Sequence, residues 1–242
     1  AAKTKVLVAL GENPGTDIWA KVDKIQGQVP SLQHVIRVNE PASAGDSVIN
    51  YEKTINQYNG EHLDFHRNVS PDDIASIYHT GGTTGRPKLA KRTQYNEVIM
   101  AWILKKMIGL TSGSTLLCGL PLFHCNGTIV TGLTPFTVGA DVVLLSAGGY
   151  RDPSVIKQFY KIVETFQANF FSAVPTILSM LLDTPVSGAD ISSLQYALCG
   201  AAPLSTELFK RFESHTGIKL LEGYGLTEGG VASAINPKDG QR

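Results

Sequence analysis

Short apolar runs alternate with longer amphipathic stretches along most of this chain. Residues 115–120 (TLLCGL) and 219–222 (KLLE) have the length and apolar content of buried strands. Between such runs, residues 153–166 and 205–215 carry apolar side chains at helical spacing. Because parallel strands are connected by crossovers that are usually helical, this alternation indicates βαβ units. We therefore predict an α/β fold with mainly parallel sheets and helices on both faces.

Capping residues mark several of the predicted helices. Thr93 can cap a long amphipathic helix that Gly109 or Gly113 ends, and Pro153 suits the first turn of a later helix. Further helices are predicted at 16–27, 47–58, 128–136 and 175–182. Further strands are predicted at 5–10, 35–38, 74–78, 141–145, 169–173 and 195–199.

The charge balance argues against nucleic acid or an acidic membrane surface as a partner. Positive and negative side chains number 21 each, so the sequence has no basic footprint. No apolar stretch reaches the roughly 18 residues of a membrane-spanning helix. The three cysteines have no zinc-ligand spacing and indicate a reducing compartment. We expect a cytoplasmic protein without a transmembrane segment, whose oligomeric state the sequence does not specify.

Residues 78–88 read YHTGGTTGRPK and follow a predicted strand. Glycines let the backbone approach a ligand, threonine hydroxyls can donate to phosphate, and Lys88 adds positive charge. The spacing differs from a Walker P-loop because Arg86 and Pro87 separate the last glycine from the lysine. The candidate phosphate-binding residues besides Lys88 are Thr80, Gly81, Gly82, Thr83, Thr84 and Gly85.

This segment resembles the signature loop of the adenylate-forming superfamily, which includes acyl-CoA and aryl-CoA synthetases, luciferases and the adenylation domains of peptide synthetases. The usual form there is YTSGTTGxPKG, so Gly81 stands in place of serine and Leu89 in place of glycine. The resemblance implies an acetyl-CoA synthetase-like fold in which the loop closes over the β- and γ-phosphates of ATP. The hydroxyl lost at Gly81 either weakens ATP binding or is offset by the neighbouring threonines.

Residues 223–228 read GYGLTE and resemble the second hallmark of the same superfamily. The resemblance implies that Tyr224 stacks on adenine, Thr227 hydrogen-bonds the α-phosphate and Glu228 binds Mg²⁺. Residues 199–204 (CGAAPL) resemble the segment that lines the adenine and the acyl substrate. The other nucleotide-binding candidates are Gly200, Ala201, Ala202, Pro203, Glu222, Gly223 and Gly225.

Residues 120–127 (LPLFHCNG) resemble the stretch beside the acyl pocket and thiol channel of this superfamily. The histidine of that stretch is His124, for which we expect a gating and orienting role rather than proton transfer. The catalytic candidates are therefore Lys88, Thr227, Glu228 and His124, with Glu228 as the metal ligand.

The resemblance implies an ATP-dependent acid–thiol ligase that forms AMP. In such a reaction a carboxylic acid, which we expect to be a fatty acid, attacks the α-phosphorus of ATP in the presence of Mg²⁺. The resulting acyl-adenylate then acylates the thiol of CoA. The alternatives are an aryl-CoA ligase, an adenylating enzyme with another acceptor, and a non-catalytic nucleotide-binding module.

We expect residues 1–92 to form part of a first α/β subdomain that ends in the phosphate-binding loop. Residues 93–242 would form a second subdomain with the adenine-binding motifs. The ribose-binding acid and the small C-terminal domain with its adenylation lysine are absent from the sequence given. The chain is thus expected to be a fragment of the large N-terminal domain, with little or no activity alone.

Overall fold

A computed structural model describes residues 2–39, 48–63, 65–81, 88–186 and 188–238. Its contacts divide the chain into two compact units, Ala1–Val69 and Ser70–Arg242. The predicted subdomain boundary after residue 92 stays a prediction.

The first unit contains a small parallel sheet. Its strands β1 (Val6–Leu10), β2 (His34–Val38) and β3 (Ile49–Asn50) lie in that order. Helix α1 (Ile18–Gln26) buries Trp19 and Val22 in a core that also contains Ala9 and Val35. The helix predicted at 47–58 is the single short helix α2 (Tyr51–Ile55), and residues 40–47 lie outside the described part.

The second unit begins with an antiparallel hairpin of β4 (Ile74–Thr80) and β5 (Lys88–Thr93). Strand β5 was not predicted, because KLAKRT carries little apolar signal. It leads directly into helix α3 (Gln94–Ile108). The Thr93 hydroxyl accepts a hydrogen bond from the Asn96 N–H at 3.2 Å, and Gly109 ends the helix in the left-handed conformation. Both predicted ends of this helix are confirmed.

The second unit is built on a six-stranded sheet. In chain order its strands are β6 (Thr115–Cys118), β7 (Asp141–Leu144), β8 (Phe170–Ala173), β9 (Tyr196–Cys199), β10 (Lys219–Tyr224) and β11 (Ala234–Ile235). They lie in the order β11-β10-β9-β8-β6-β7, with only β11 antiparallel to its neighbour. The direction of winding therefore reverses between β6 and β8, which makes this position the switch point of a doubly wound sheet.

Helices cover both faces of this sheet. They are α4 (Thr134–Phe136), α5 (Pro153–Lys157), α6 (Phe159–Phe166), α7 (Pro175–Leu182) and α8 (Thr206–Thr216), together with α3. Phe171 lies in a core with Phe159 and Phe212, at ring distances of 4.8 and 6.4 Å. The preceding residue, Phe170, lies in the core on the other face with Leu104 of α3. This arrangement confirms the predicted α/β fold with helices on both faces.

The helix predicted at 128–136 is mostly a π-helix, Asn126–Leu133, which continues into α4. The Thr134 hydroxyl donates to the Ile129 carbonyl at 2.7 Å, and Pro135 has no N–H to donate. Both features divert carbonyls from the ordinary α-helical pattern. Within the described ranges, no helix combines the length and apolar character needed to cross a bilayer.

Candidate nucleotide and acyl site

The candidate site lies where the parallel strands of the large sheet end. Loops beginning at Gly119, Gly200 and Gly225 follow β6, β9 and β10, and Val174 follows β8. Three of the four sequence motifs lie in these loops. Because parallel strands end at one edge of a sheet, segments far apart in sequence come together there.

A first cavity brings together candidates from three motifs. Its lining consists of His124, Cys125, Asn126, Val130, Leu198, Gly200, Ala201, Gly223, Tyr224, Gly225, Leu226, Thr227, Val231 and Ala232. The backbone comes close to two of these glycines, tightly at Gly200 and too closely for any side chain at Gly225. A Cβ at Gly200 would lie 3.0 Å from the Gly223 oxygen, and one at Gly225 only 1.8 Å from the Val231 oxygen. Because these two residues have no side chain, their backbone itself forms part of the cavity wall.

A second cavity adjoins the first along the Tyr224 loop. Its lining consists of Ala201, Ala202, Pro203, Glu222, Gly223, Tyr224, Gly225, Ala234 and Asn236. Tyr224 borders both cavities and is 70% exposed. An exposed aromatic ring beside a groove of small residues offers a face for a planar ring to stack on.

The hairpin of β4 and β5 lies against the end of this loop. Both strands contact the short 3₁₀-helix Thr227–Gly229. Thr80 is buried at the end of the hairpin that leads into the glycine loop, where it pairs with Lys88, which is exposed. The candidates Gly82, Thr83, Thr84 and Gly85 lie outside the described residues. The described ends of the glycine loop are thus on a hairpin that contacts the Thr227 segment.

The described residues around Gly81 give no steric reason for its departure from the superfamily pattern. A Cβ at this exposed position would have no described atom within 4 Å. No described neighbour therefore excludes the serine that is usual at this position in the superfamily, and the change that the sequence shows there is the loss of a hydroxyl.

Cys125 is a buried neighbour of Thr227 that the motif comparison missed. Its Sγ lies 3.8 Å from the Thr227 Oγ1. Burial raises the pKa of this thiol, which keeps it neutral and unsuited to nucleophilic attack. We infer a packing role for Cys125 beside the Thr227 hydroxyl.

His124 lies on the cavity wall as a neutral imidazole. Its ring is exposed, yet the loss of solvent on its packed side lowers its pKa, and nearby His79 lowers it further. Its Nδ1 accepts the backbone N–H of Asn126 at 3.3 Å. The proton of the neutral ring is then on Nε2, which can donate to a ligand.

An apolar cavity of about 330 Å³ lies at the switch point, between the loops that follow β6 and β8. Its lining consists of Gly119, Leu120, Pro121, Phe123, His124, Asn126, Gly148, Tyr150, Arg151, Val174, Thr176, Ile177 and Ala201. His124, Asn126 and Ala201 also line the first cavity. The apolar cavity and the first cavity therefore share one wall.

Glu228 is an exposed carboxylate on the 3₁₀-helix that begins at Thr227. Proteins commonly hold Mg²⁺ through one or two carboxylates together with substrate phosphates. A single oxygen ligand next to a phosphate-binding candidate fits that pattern, so Glu228 is suited to a metal shared with a nucleotide.

The whole sequence, residues 1–242, matches the family described as AMP-binding enzyme. The chain belongs to the AMP-binding enzyme family. Curated relatives in this comparison include the marinolic acid–CoA ligase of Pseudoalteromonas sp. (strain SANK 73390), which is 32% identical over 93% of this chain and 35% of that protein. The long-chain-fatty-acid–CoA ligase of Bacillus subtilis (strain 168) is 34% identical over 69% of this chain and 30% of that protein. The chain spans about a third of the length of these two relatives.

Solved structures share the fold of this AMP-binding family chain. The anthranilate CoA ligase AuaEII in complex with anthranoyl-AMP has a TM-score of 0.83 and 23% identity, covering 99% of this chain and 44% of that one. ATP-bound MatB from Rhodopseudomonas palustris has a TM-score of 0.75 and 24% identity, covering 100% and 44%. The fold predicted from the sequence is confirmed by these likenesses.

Proposed function

We propose that the full-length protein is an AMP-forming acyl-CoA ligase that activates an acid with an apolar acyl group, such as a fatty acid. One observation carries the proposal above the others. A cavity bordered by the Tyr224–Thr227 loop shares a wall with an apolar cavity, so a nucleotide and an acyl chain could meet at His124 and Ala201.

The reaction would be attack of the acid carboxylate on the α-phosphorus of ATP. A carboxylate needs no general base, so the main obstacle is repulsion between two anions. Lys88 and the Thr227 hydroxyl would supply a cation and a donor to the phosphates. When bound at Glu228, Mg²⁺ would supply further positive charge to the phosphate oxygens.

The adenine end would be held by shape and stacking. The Tyr224 ring provides the stacking face, while Gly200 to Pro203 and Gly225 allow the base to approach the backbone. No charged side chain is needed for this contact, because adenine is neutral.

His124 would orient the acid where the two cavities meet. Its Nε2–H can donate to a carboxylate oxygen without adding a full positive charge. A permanent cation there would bind the ground-state carboxylate more tightly and so lower its tendency to attack. The lowered pKa of His124 therefore suits an orienting role.

Two of the curated relatives support CoA as the acceptor, because both are CoA ligases. The apolar lining supports an acid whose acyl group is mainly hydrocarbon. The cavity of about 330 Å³ is near the lower limit for small-molecule pockets, which favours short or medium chains.

Hydroxamate trapping by the full-length protein tests this proposal. With ATP, Mg²⁺ and hydroxylamine, a panel of aliphatic, branched and aromatic acids should give hydroxamate chiefly from aliphatic acids. Preference for aromatic acids would instead support an aryl-CoA ligase. Trapping from no acid, with retained ATP binding, would support a non-catalytic module.

Thr176→Trp is expected to shift acid preference toward shorter chains. Thr176 is exposed in the first turn of α7 and lines the apolar cavity, so an indole there would occupy acyl space. A pocket contact of this size changes selectivity by roughly 10–200-fold. The measurement is kcat/KM over an aliphatic series, with Met180→Trp on the same helix as control. Unchanged chain-length preference would exclude this cavity as the acyl pocket.

A further inference from the structure

A buried ion pair joins the hairpin to the helix that follows it. Arg92 on β5 and Glu97 on α3 are only 4% and 6% exposed. Arg92 Nε lies 3.0 Å from Glu97 Oε1, and the Ser76 hydroxyl of β4 donates to the same oxygen. Arg92 Nη2 also donates to the Asn96 carbonyl at 3.2 Å. Strands β4 and β5 are thus both tied to helix α3 through one carboxylate oxygen, Glu97 Oε1.

A contribution to stability alone does not explain why the chain buries this ion pair. Removing two charges from water costs free energy that a well-packed apolar pair would not incur. Glu97 Oε2 is buried and has no hydrogen-bond partner within the described part of the chain. The pair therefore leaves an acceptor unsatisfied, which adds to that cost.

The guanidinium also packs against the nucleotide side of the site. A Cβ at Gly230 would lie 3.2 Å from Arg92 Nη1 and 3.6 Å from Nη2. Gly230 has a positive φ of 111° and directly follows the helix Thr227–Gly229. The charge of Arg92 also reaches Cys125, the neighbour of Thr227, because it partly offsets the rise in that thiol's pKa. The Arg92 guanidinium therefore lies close to Gly230, together with the Met100 side chain, at the end of the turn that carries Thr227 and Glu228.

We propose that Arg92 is a positioning residue, which Glu97 locks in place so that its guanidinium fixes the 227–230 turn against the hairpin bearing the glycine loop. This inference rests on the proposed function. The Arg92 side chain would then help to hold the 227–230 turn in a fixed position relative to strand β5. Arg92 does not line the apolar cavity, so its effect should fall on ATP rather than on the acid.

The decisive variant removes both charges. Arg92→Met alone would leave Glu97 buried without its partner, so any loss of activity could come from unfolding. Arg92→Met with Glu97→Leu avoids the unpaired charge and should melt within a few degrees of the wild type. We expect its KM for ATP and its Kd for Mg-ATP to rise by about tenfold or more, since small displacements in a site carry large penalties. Its KM for the acid should stay within about twofold.

Arg92→Lys gives a second test that does not depend on the double variant folding. Lysine can keep the charge pair with Glu97, but it lacks the planar fork that reaches Gly230. We expect normal melting and the same selective rise in the KM for ATP. The matched control is Arg211→Met with Glu207→Leu, which removes an exposed ion pair of 3.7 Å on α8 and should change neither constant.

The outcomes separate this inference from the proposed function. If either Arg92 variant folds and keeps the wild-type KM for ATP and Kd for Mg-ATP, the positioning role is wrong. A parallel rise in the KM for the acid would indicate general disruption and would also contradict it. If the wild type forms no acid-dependent hydroxamate, the proposed function fails, while Mg-ATP calorimetry still tests the role of Arg92.

Discussion

Glu228→Gln should lower acid-dependent adenylate formation by about 10²–10³-fold in the full-length protein, on the scale of a single electrostatic contribution to a transition state. Glutamine keeps the shape of the side chain but removes the charge that would hold Mg²⁺ beside the phosphates. Glu228 is exposed, so the melting temperature should not change. Initial rates of hydroxamate formation at several Mg²⁺ concentrations measure the effect.

The Mg²⁺ dependence distinguishes a metal ligand from a residue that merely lies nearby. We expect Glu228→Gln to need more Mg²⁺ for its remaining activity, whereas Glu207→Gln, an exposed residue on α8, should behave as the wild type. If Glu228→Gln and the wild type are equally active at limiting Mg²⁺, Glu228 has no role as a metal ligand in the reaction.

Gly225→Ala should weaken Mg-ATP binding by roughly 5- to 140-fold, the effect of about 1–3 kcal/mol. A Cβ there would lie 1.8 Å from the Val231 oxygen and 2.6 Å from its carbonyl carbon, so backbone on one side must move. Overpacking of this kind costs roughly 1–3 kcal/mol or more, and the displaced segment carries Tyr224 and Thr227. Calorimetry measures the loss of Mg-ATP affinity, and thermal melting measures the loss of stability from overpacking.

The matched control for this change is Gly27→Ala. A Cβ at Gly27 would have no described atom within 4 Å, and its φ of −79° suits alanine. Stability should therefore stay within about 0.5 kcal/mol of the wild type, as for most surface substitutions. If Gly225→Ala binds Mg-ATP as the wild type does, the close approach at Gly225 does not shape the nucleotide site.

The sheet could be predicted because its strands are encoded locally. Runs such as Phe170–Ala173 and Tyr196–Cys199 are fully buried, so they appear in the sequence as continuous apolar or small residues. Strand β5 lacks this signal because it belongs to a two-stranded hairpin and only one of its residues, Arg92, is buried. The apolar run at 128–136 predicted a helix but not its π-helical hydrogen bonding, which includes the bond from the Thr134 backbone N–H to the Ile129 carbonyl.

The residues of the candidate site could be predicted where each short motif contains them, but contacts between distant segments could not. Tyr224 and Thr227 lie in one short motif, and their common cavity with Gly200 follows from neighbouring parallel strands. The burial of Arg92 could not be predicted, because a lone arginine in a polar run usually indicates an exposed strand. Its partner Glu97 and its contact with Gly230 depend on how the hairpin packs against the rest of the unit.

The roles assigned to Lys88, Glu228 and His124 stay predictions, as does the role of the glycine loop between Gly81 and Lys88. Their placement is consistent with one reaction, because the described ends of the loop, the Thr227 segment and the apolar cavity all belong to the second unit. Each role predicts a different kinetic signature: Glu228 affects Mg²⁺ dependence, Arg92 affects ATP, and Thr176 affects the acid.

The nucleotide product of the full-length protein tests the central claim most directly. Chromatography of a reaction with ATP, Mg²⁺, CoA and an aliphatic acid should show one AMP and one pyrophosphate for each thioester formed. Omission of the acid should abolish AMP formation. Release of ADP and phosphate, or AMP formation that does not depend on the acid, would contradict an acyl-adenylate mechanism.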